Sequence, residues 1–502
     1  MASDIYREGR LGSGVLADVV NYISSYSDDV EIFDEIVKIN MAHVIALHSA
    51  GYISREDAAA ILRVLSSLEP GMLSSMPKME DAHMAVEARV LEGAGTPGGN
   101  LNLGKSRNDQ VAAAIRMRLR SYLVDIVGSG AALGLRLIDK SRELKEAVMP
   151  GFTHLQPAQP VTLGYLLLAH AEEMLRDLHR LVEAYNRVNL SPLGAAAMSG
   201  STVRLNRHAL ANMLGFKDVL RNAVDAVSSR DYMIESLAAM LSLALSASRL
   251  AEHMVLWSSP EFAYIEIPDE YAATSSIMPH KKNPVVAELA RAKAASPLSS
   301  LVAVAAILKS LPYSYNLDLQ AATPYLWSAS KDLLSTLNVL SGAVSGMRAN
   351  RDRMLRDAQA GFVTGSDLAE YLTVKFGVPF RAAHRIVGRT VRRAVDEGAQ
   401  WGPAVRRWLE EYAAEEGYEV RLSDEELASV LDPVEAVRRR GHVGMSGESF
   451  DAAASELESK MRHILSWRDV VMEELKKSQS ILEERARAIM EVSRHGDKGP
   501  VQ

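Results

Sequence analysis

Residues 163–190 read LGYLLLAHAEEMLRDLHRLVEAYNRVNL. Leu167, Met174, Leu181 and Val188 recur every seven residues, and Ala171, Leu178 and Tyr185 each follow one of the first three by four. Apolar residues in that rhythm form one stripe along a helix, the seam on which long helices pack lengthwise. Further helical patterns run from Asn222 to Trp257, Val285 to Leu311 and Pro324 to Met347, and nothing from Asp109 to about Ala360 alternates with period two for long. Helices of about 20 to 35 residues, roughly 30 to 50 Å at 1.5 Å per residue, exceed what one globular domain needs. They predict a bundle shared between subunits.

Outward from this centre the elements shorten. Val30 to Leu47 and Arg55 to Leu68 read as two helices split by the turn Ala50-Gly51-Tyr52, and Asp81 to Leu91 as a third that ends in the breaker cluster Gly93 to Gly99. Beyond Gly361 short helices resume, Phe450 to Val492 reads as a charged helical extension, and Gly496 to Gln502 as a polar tail. The expectation is an all-α chain of three helical domains: residues 1–108, a central long-helix bundle at 109–360, and residues 361–502.

The composition excludes several classes of function. Of 502 residues, 63 are acidic and 56 basic, a net charge of −7 that disfavours nucleic acid as the main partner. Zero cysteines exclude disulfides, thiolate-bound zinc, iron–sulfur clusters and a thiol nucleophile. The 13 histidines form no dense cluster and no His-Glu-x-x-His motif, so no metal is expected. The start, MASDIYREGRLGSG, lacks the apolar core of a signal peptide, which predicts a cytoplasmic protein. The uncharged run Ala294 to Leu308 carries Pro297 and three serines and is shorter than the roughly 20 residues of a membrane span, so a buried helix is expected there and no membrane association.

Three segments carry chemistry. Thr274 to Pro284, TSSIMPHKKNP, puts two hydroxyls, two ammonium groups and an amide in a Pro-bounded loop between long helices. Such a lid supplies donors for an anionic carbon acid and a serine as proton acceptor; the alternative is a solvated interhelical loop. Gly151 to Pro160, GFTHLQPAQP, holds a histidine that is either structural or, facing a carboxylate such as Glu288, an oriented acid or base. In Ser106-Arg107-Asn108-Asp109-Gln110, Arg107 offers a planar fork for a carboxylate. The adjoining Gly99 to Ser106 fits the P-loop spacing, but an amphipathic helix rather than a buried strand precedes it, so nucleotide hydrolysis is not expected.

Together the three segments resemble the fumarase/aspartase superfamily and, within it, the argininosuccinate lyase family. Ser275-Ser276-Ile277-Met278-Pro279 with Lys281 and Asn283 is similar to the superfamily's signature loop, Thr153-His154-Leu155-Gln156 to its second region, and Ser106 to Gln110 to a marker of argininosuccinate lyases. The likeness extends from about Ser24 to Gly377–His384. It implies reversible cleavage of argininosuccinate to arginine and fumarate, without a cofactor, in a homotetramer whose sites each draw on three subunits. By this resemblance Ser275 is the base, Lys281 and Asn283 hold the carboxylate, and His154 paired with Glu288 assists departure of the guanidine. Ser25, Asp29, His83, Arg107, Asn108, Thr153, Tyr315 and Gln320 resemble substrate-binding positions.

The chain departs from the family pattern at several places. Thr274 replaces a glycine, Asn102 a histidine, and Ala321-Ala322-Thr323 a Glu-Asp-Lys triplet with a substrate-contacting lysine. His280 stands where argininosuccinate lyases carry glutamine and resembles adenylosuccinate lyase, the alternative reading. A non-enzymatic, crystallin-like helical scaffold is the reading from a different class; it would need none of Ser275, His154, Lys281, Asn283 or Glu288.

Overall fold

The computed structural model describes residues 13–76 and 79–492; residues 1–12 and the expected tail Gly496 to Gln502 lie outside the described residues. The N-terminal helices are α1 (Phe33–Ser49), α2 (Arg55–Leu65) and α3 (Ala82–Ala94). Ser54 Oγ caps α2 by accepting from Asp57 N at 3.0 Å, and Asp81 Oδ1 caps α3 from Met84 N at 2.7 Å. Helix α4 (Arg107–Glu143) starts at a reciprocal capping box between Ser106 and Asp109, which defines where the bundle begins.

A hairpin of β1 (Val148–Thr153) and β2 (Gln156–Thr162) follows, paired from Val148 opposite Thr162 to Thr153 opposite Gln156. This element departs from the expected absence of strands. Its prolines sit opposite each other at Pro150 and Pro160, where neither has a ladder N–H to give, and the register shifts between Pro150 and Phe152. Helix α5 (Leu163–Val188) then bears out the heptad: Leu167, Ala171, Met174, Leu178, Leu181, Tyr185 and Val188 are all buried. It and α9 (Asp318–Gly346) pack along α4, and α6 (Asp231–Ser258) packs against α5 and α9. Gly134 lets the last helix, α10 (Gly447–Val492), approach α4, since a Cβ there would lie 2.4 Å from Met461 Cε.

The long patterns are more broken than expected. Asn222 to Trp257 divides at Ser229 and Arg230 into Ala223–Ser228 and α6. Val285 to Leu311 divides at Ala294 into α7 (Val285–Lys293) and α8 (Ala295–Leu308), and Pro324 lies inside α9 rather than at its start. The expected burial of Ala294 to Leu308 does not hold within one chain: on α8 only Pro297, Ser300 and Val304 are buried, while Leu298 and Val302 are exposed. By length and hydropathy α4, α6 and the Val285–Leu308 stretch are compatible with membrane spans. The windows in α4 and α6 are more than half buried inside the fold, and that in Val285–Leu308 is 17% buried.

Two large hydrophobic cores organise these helices, beside a minor cluster of Ala195, Ala226 and Val227. The larger runs continuously from Ile32 through the bundle and includes Phe450, Met461 and Leu482 of α10. The smaller gathers residues between Leu368 and Leu431. The last helix therefore leaves the second core and returns to the bundle.

Candidate active site

A cavity of about 480 Å³ lies where the N-terminal helices meet the start of α4, and Ser25, Asp29, His83, Arg107, Asn108, Tyr315 and Gln320 all line it. Its geometry follows from helix ends. Asp81 caps α3 with one oxygen and pairs with Arg107 Nη1 at 2.9 Å with the other. The first turn of α4 thus presents Arg107 and Asn108, whose Nδ2 donates to Ala197 O at 3.0 Å. Asp29 Oδ2 accepts from Ser25 Oγ at 2.9 Å and from Ala82 N at 3.0 Å, tying the segment before α1 to the start of α3. Gln320 Nε2 donates to Ile23 O at 2.8 Å and brings in the start of α9.

Desolvation sets the charge state of this wall. Burial pushes Asp29 up to about 7, despite the two hydrogen bonds it accepts. Burial likewise takes His83 down to about 4 and Lys105 down to about 7. His83 is therefore neutral near pH 7; its Nδ1 lies 3.3 Å from Gln110 Oε1, and its Nε2 has no partner among the described residues. Asp109, pushed up to about 6 by burial, accepts from Ser106 N, Gly194 N and Ala196 N and so fixes the loop beside the cavity.

The other candidate residues stand apart from this cavity. Thr153 ends β1 opposite Gln156, so His154 and Leu155 form a two-residue turn, with φ of 55° and 57°. Such hairpin turns favour Gly, which has no Cβ to clash at left-handed φ, and Asn, whose short polar side chain bonds to nearby backbone, so the exposed His154 is held in a costly conformation. The third segment is the loop between β3 (Ala273–Thr274) and β4 (Lys282–Asn283), paired with Ala273 opposite Asn283 and Thr274 opposite Lys282. Lys282 braces the stem through Glu266 at 2.9 Å and Asp269 at 2.7 Å, whereas Lys281 is exposed at the loop's end. Ser275 Oγ accepts from Ile277 N at 3.4 Å and Met278 N at 3.2 Å. Glu288 is exposed in the first turn of α7, and among the described residues no ion pair joins it to His154 within the chain.

Sequence reasoning missed Asp81 and Lys105. Asp81, immediately before a helical pattern, carried an N-cap signal. Lys105 sat inside the P-loop-like string, and it lines the cavity with its ammonium bonded to Asn40 Oδ1. That string is preceded by α3 and a short 3₁₀ turn at Thr96–Asn100, not by a strand. Among the described residues no group of three or more acidic or histidine side chains is placed to hold a metal ion.

The family described as Lyase matches residues 21–296, and that described as Argininosuccinate lyase C-terminal matches residues 362–438. The argininosuccinate lyase of Methanothermobacter thermautotrophicus is 43% identical over 458 residues, covering 90% of this chain and 98% of the relative. This chain belongs to the argininosuccinate lyase family. The Methanocaldococcus jannaschii argininosuccinate lyase is 36% identical across 93% of this chain and 99% of its own length. Among solved structures, EDDS lyase in complex with formate aligns with a TM-score of 0.84 at 27% identity, covering 99% of this chain and 100% of that one. The 3-carboxy-cis,cis-muconate lactonizing enzyme of Pseudomonas putida shares the fold, with a TM-score of 0.71 at 21% identity over 89% of this chain and 98% of that one. The argininosuccinate lyase C-terminal match encloses the second core.

Proposed function

We propose that this chain is a carbon–nitrogen lyase that cleaves argininosuccinate reversibly to L-arginine and fumarate in arginine biosynthesis, with no cofactor. The observation that carries the reading is the sign of the cavity. Asp28, Asp29, Glu80, Asp81 and Glu87 line it against only Lys105 and Arg107. An excess of carboxylates suits the ammonium and guanidinium groups of the arginine half, while Arg107 and Asn108 take its carboxylate. Thr153, Tyr315 and Gln320 contribute polar contacts to the bound substrate.

In the succinate half a proton leaves carbon next to a carboxylate, and a guanidine nitrogen is then expelled. Ser275 takes that proton. Two backbone N–H groups aimed at its Oγ favour the oxyanion a serine base requires. Lys281 and Asn283 hold the carboxylate as it gains enolate-like charge, a contact stronger in the transition state than in the ground state. His154, oriented by Glu288, assists the departing guanidine.

The assembly is a homotetramer in which each site takes the cavity, the His154 turn and the Ser275 loop from three subunits. The exposed apolar stripe of α8, with Leu298 49% and Val302 61% accessible, supports burial of that helix between subunits. The enzyme is cytoplasmic. Fumarate absorbance on adding argininosuccinate, with adenylosuccinate as control, tests the reading. Release from argininosuccinate alone is expected; release from adenylosuccinate alone supports the alternative enzyme, and release from neither removes both.

A further inference from the structure

A second cavity, of about 270 Å³, lies away from the candidate active site, between α1, α4, the helix Arg207–Met213 and α10. Two buried charges of opposite sign face it, Glu35 from α1 and Arg120 from α4, which are 8% and 5% exposed. Neither has an ion-pair partner among the described residues. Arg120 donates to Asn189 Oδ1 at 2.9 Å and to Leu214 O, and its guanidinium lies over the Phe216 ring, yet its buried Nε–H has no acceptor among the described residues. Glu35 acts on Arg120 without pairing with it, and the cations that act on Glu35 itself are Arg118 and Lys38, neither of them ion-paired to it. A buried carboxylate and a buried guanidinium left apart are costly in a fold that could have used apolar residues.

Two opposite charges on the walls of one cavity leave room for a molecule that carries both. Between them Met117, Met213, Met472 and Leu475 form an adaptable apolar wall. Ligand cavities for drug-sized molecules begin near roughly 300 Å³, so this one suits something smaller. We propose that this cavity binds a free α-amino acid as its zwitterion, with Glu35 receiving the ammonium, Arg120 the carboxylate and the methionine wall an aliphatic stem. Lys38, Asp125 and Lys476 also line the cavity, with Lys38 close enough to act on Glu35.

L-Arginine, the amino acid the proposed reaction releases, is the probe; the cavity itself is argued independently of that reaction. Calorimetric titration of the full-length protein is expected to show two sites per chain, one lost in Asp29→Asn and the other in Glu35→Gln. Met472→Trp fills the cavity without removing a charge, and is expected to weaken the second site at least tenfold while fumarate release stays within twofold of the unaltered protein. The absence of any site lost in Glu35→Gln, or a second site that survives both Glu35→Gln and Met472→Trp, overturns the proposal. A Glu35-dependent site in a protein that releases no fumarate leaves it standing and removes the catalytic reading instead.

Discussion

Arg107 Nη1 sits 2.9 Å from Oδ2 of Asp81, whose other oxygen caps the helix carrying His83. The guanidinium expected to clamp a carboxylate is therefore aimed by a helix cap before any ligand arrives. Both charges are largely shielded, with side-chain exposures of 29% and 9%, so the pair is not a screened surface contact. Arg107→Lys keeps the charge but loses the planar fork. KM for argininosuccinate is expected to rise about tenfold or more, equivalent to about 1.4 kcal/mol, while kcat falls less than about threefold. Steady-state fumarate release measures both, and an unchanged KM removes Arg107 from the clamp.

Ser275→Ala separates chemistry from binding. Loss of a general base lowers kcat by about 10² to 10⁴, with KM within about threefold. The loop around it, with Ile277 83% exposed, is expected to be cut more slowly by protease when arginine and fumarate are bound. Equal cutting rates with and without products count against a closing lid.

Asp29 is expected to make the reaction depend on pH. Its raised pKa of about 7 leaves a large fraction protonated near neutrality, and a bound cation favours the ionised form. Substrate binding then releases protons, and kcat/KM rises as pH increases through about 7, since that ratio reports groups of the free enzyme. In Asp29→Asn the acid limb near 7 is expected to disappear along with at least about a tenfold loss of kcat/KM. A pH–rate profile that keeps this limb in Asp29→Asn assigns it to another group, Lys105 being the first candidate.

Shared sites predict complementation. Ser275→Ala and His154→Asn are each expected to be inactive, and co-refolding equal amounts of the two should restore about a quarter of the sites, if the two contributing subunits are drawn independently. Mixed tetramers that stay as inactive as either variant alone place both residues in one chain's site.

Much of the bundle was legible because a helix that packs lengthwise must repeat its apolar residues at a near-fixed interval, and Leu167 to Val188 do so. The hairpin at Val148–Thr162 was not, since prolines 150, 157 and 160 obscure a strand whose pairing tolerates them only locally. Breaks at Ser229 and Ala294 carry no Gly or Pro to mark them. Exposure of α8 was misread for another reason. An apolar sequence declares that a surface is to be covered, not which chain covers it.

By itself the sequence determined the helical class and the family and named the candidate reactive side chains, because each depends on local spacing or on motifs contiguous in the chain. Tertiary structure decided which of them meet. Ser25, His83, Arg107 and Tyr315 come from segments up to 290 residues apart and share one cavity, whereas His154 and Ser275 are carried on separate hairpins away from it. The same packing set the charges, because desolvation moves Asp29 and Lys105 toward neutrality from opposite directions. Burial depends on neighbours distant in the chain, and residue order alone does not contain it.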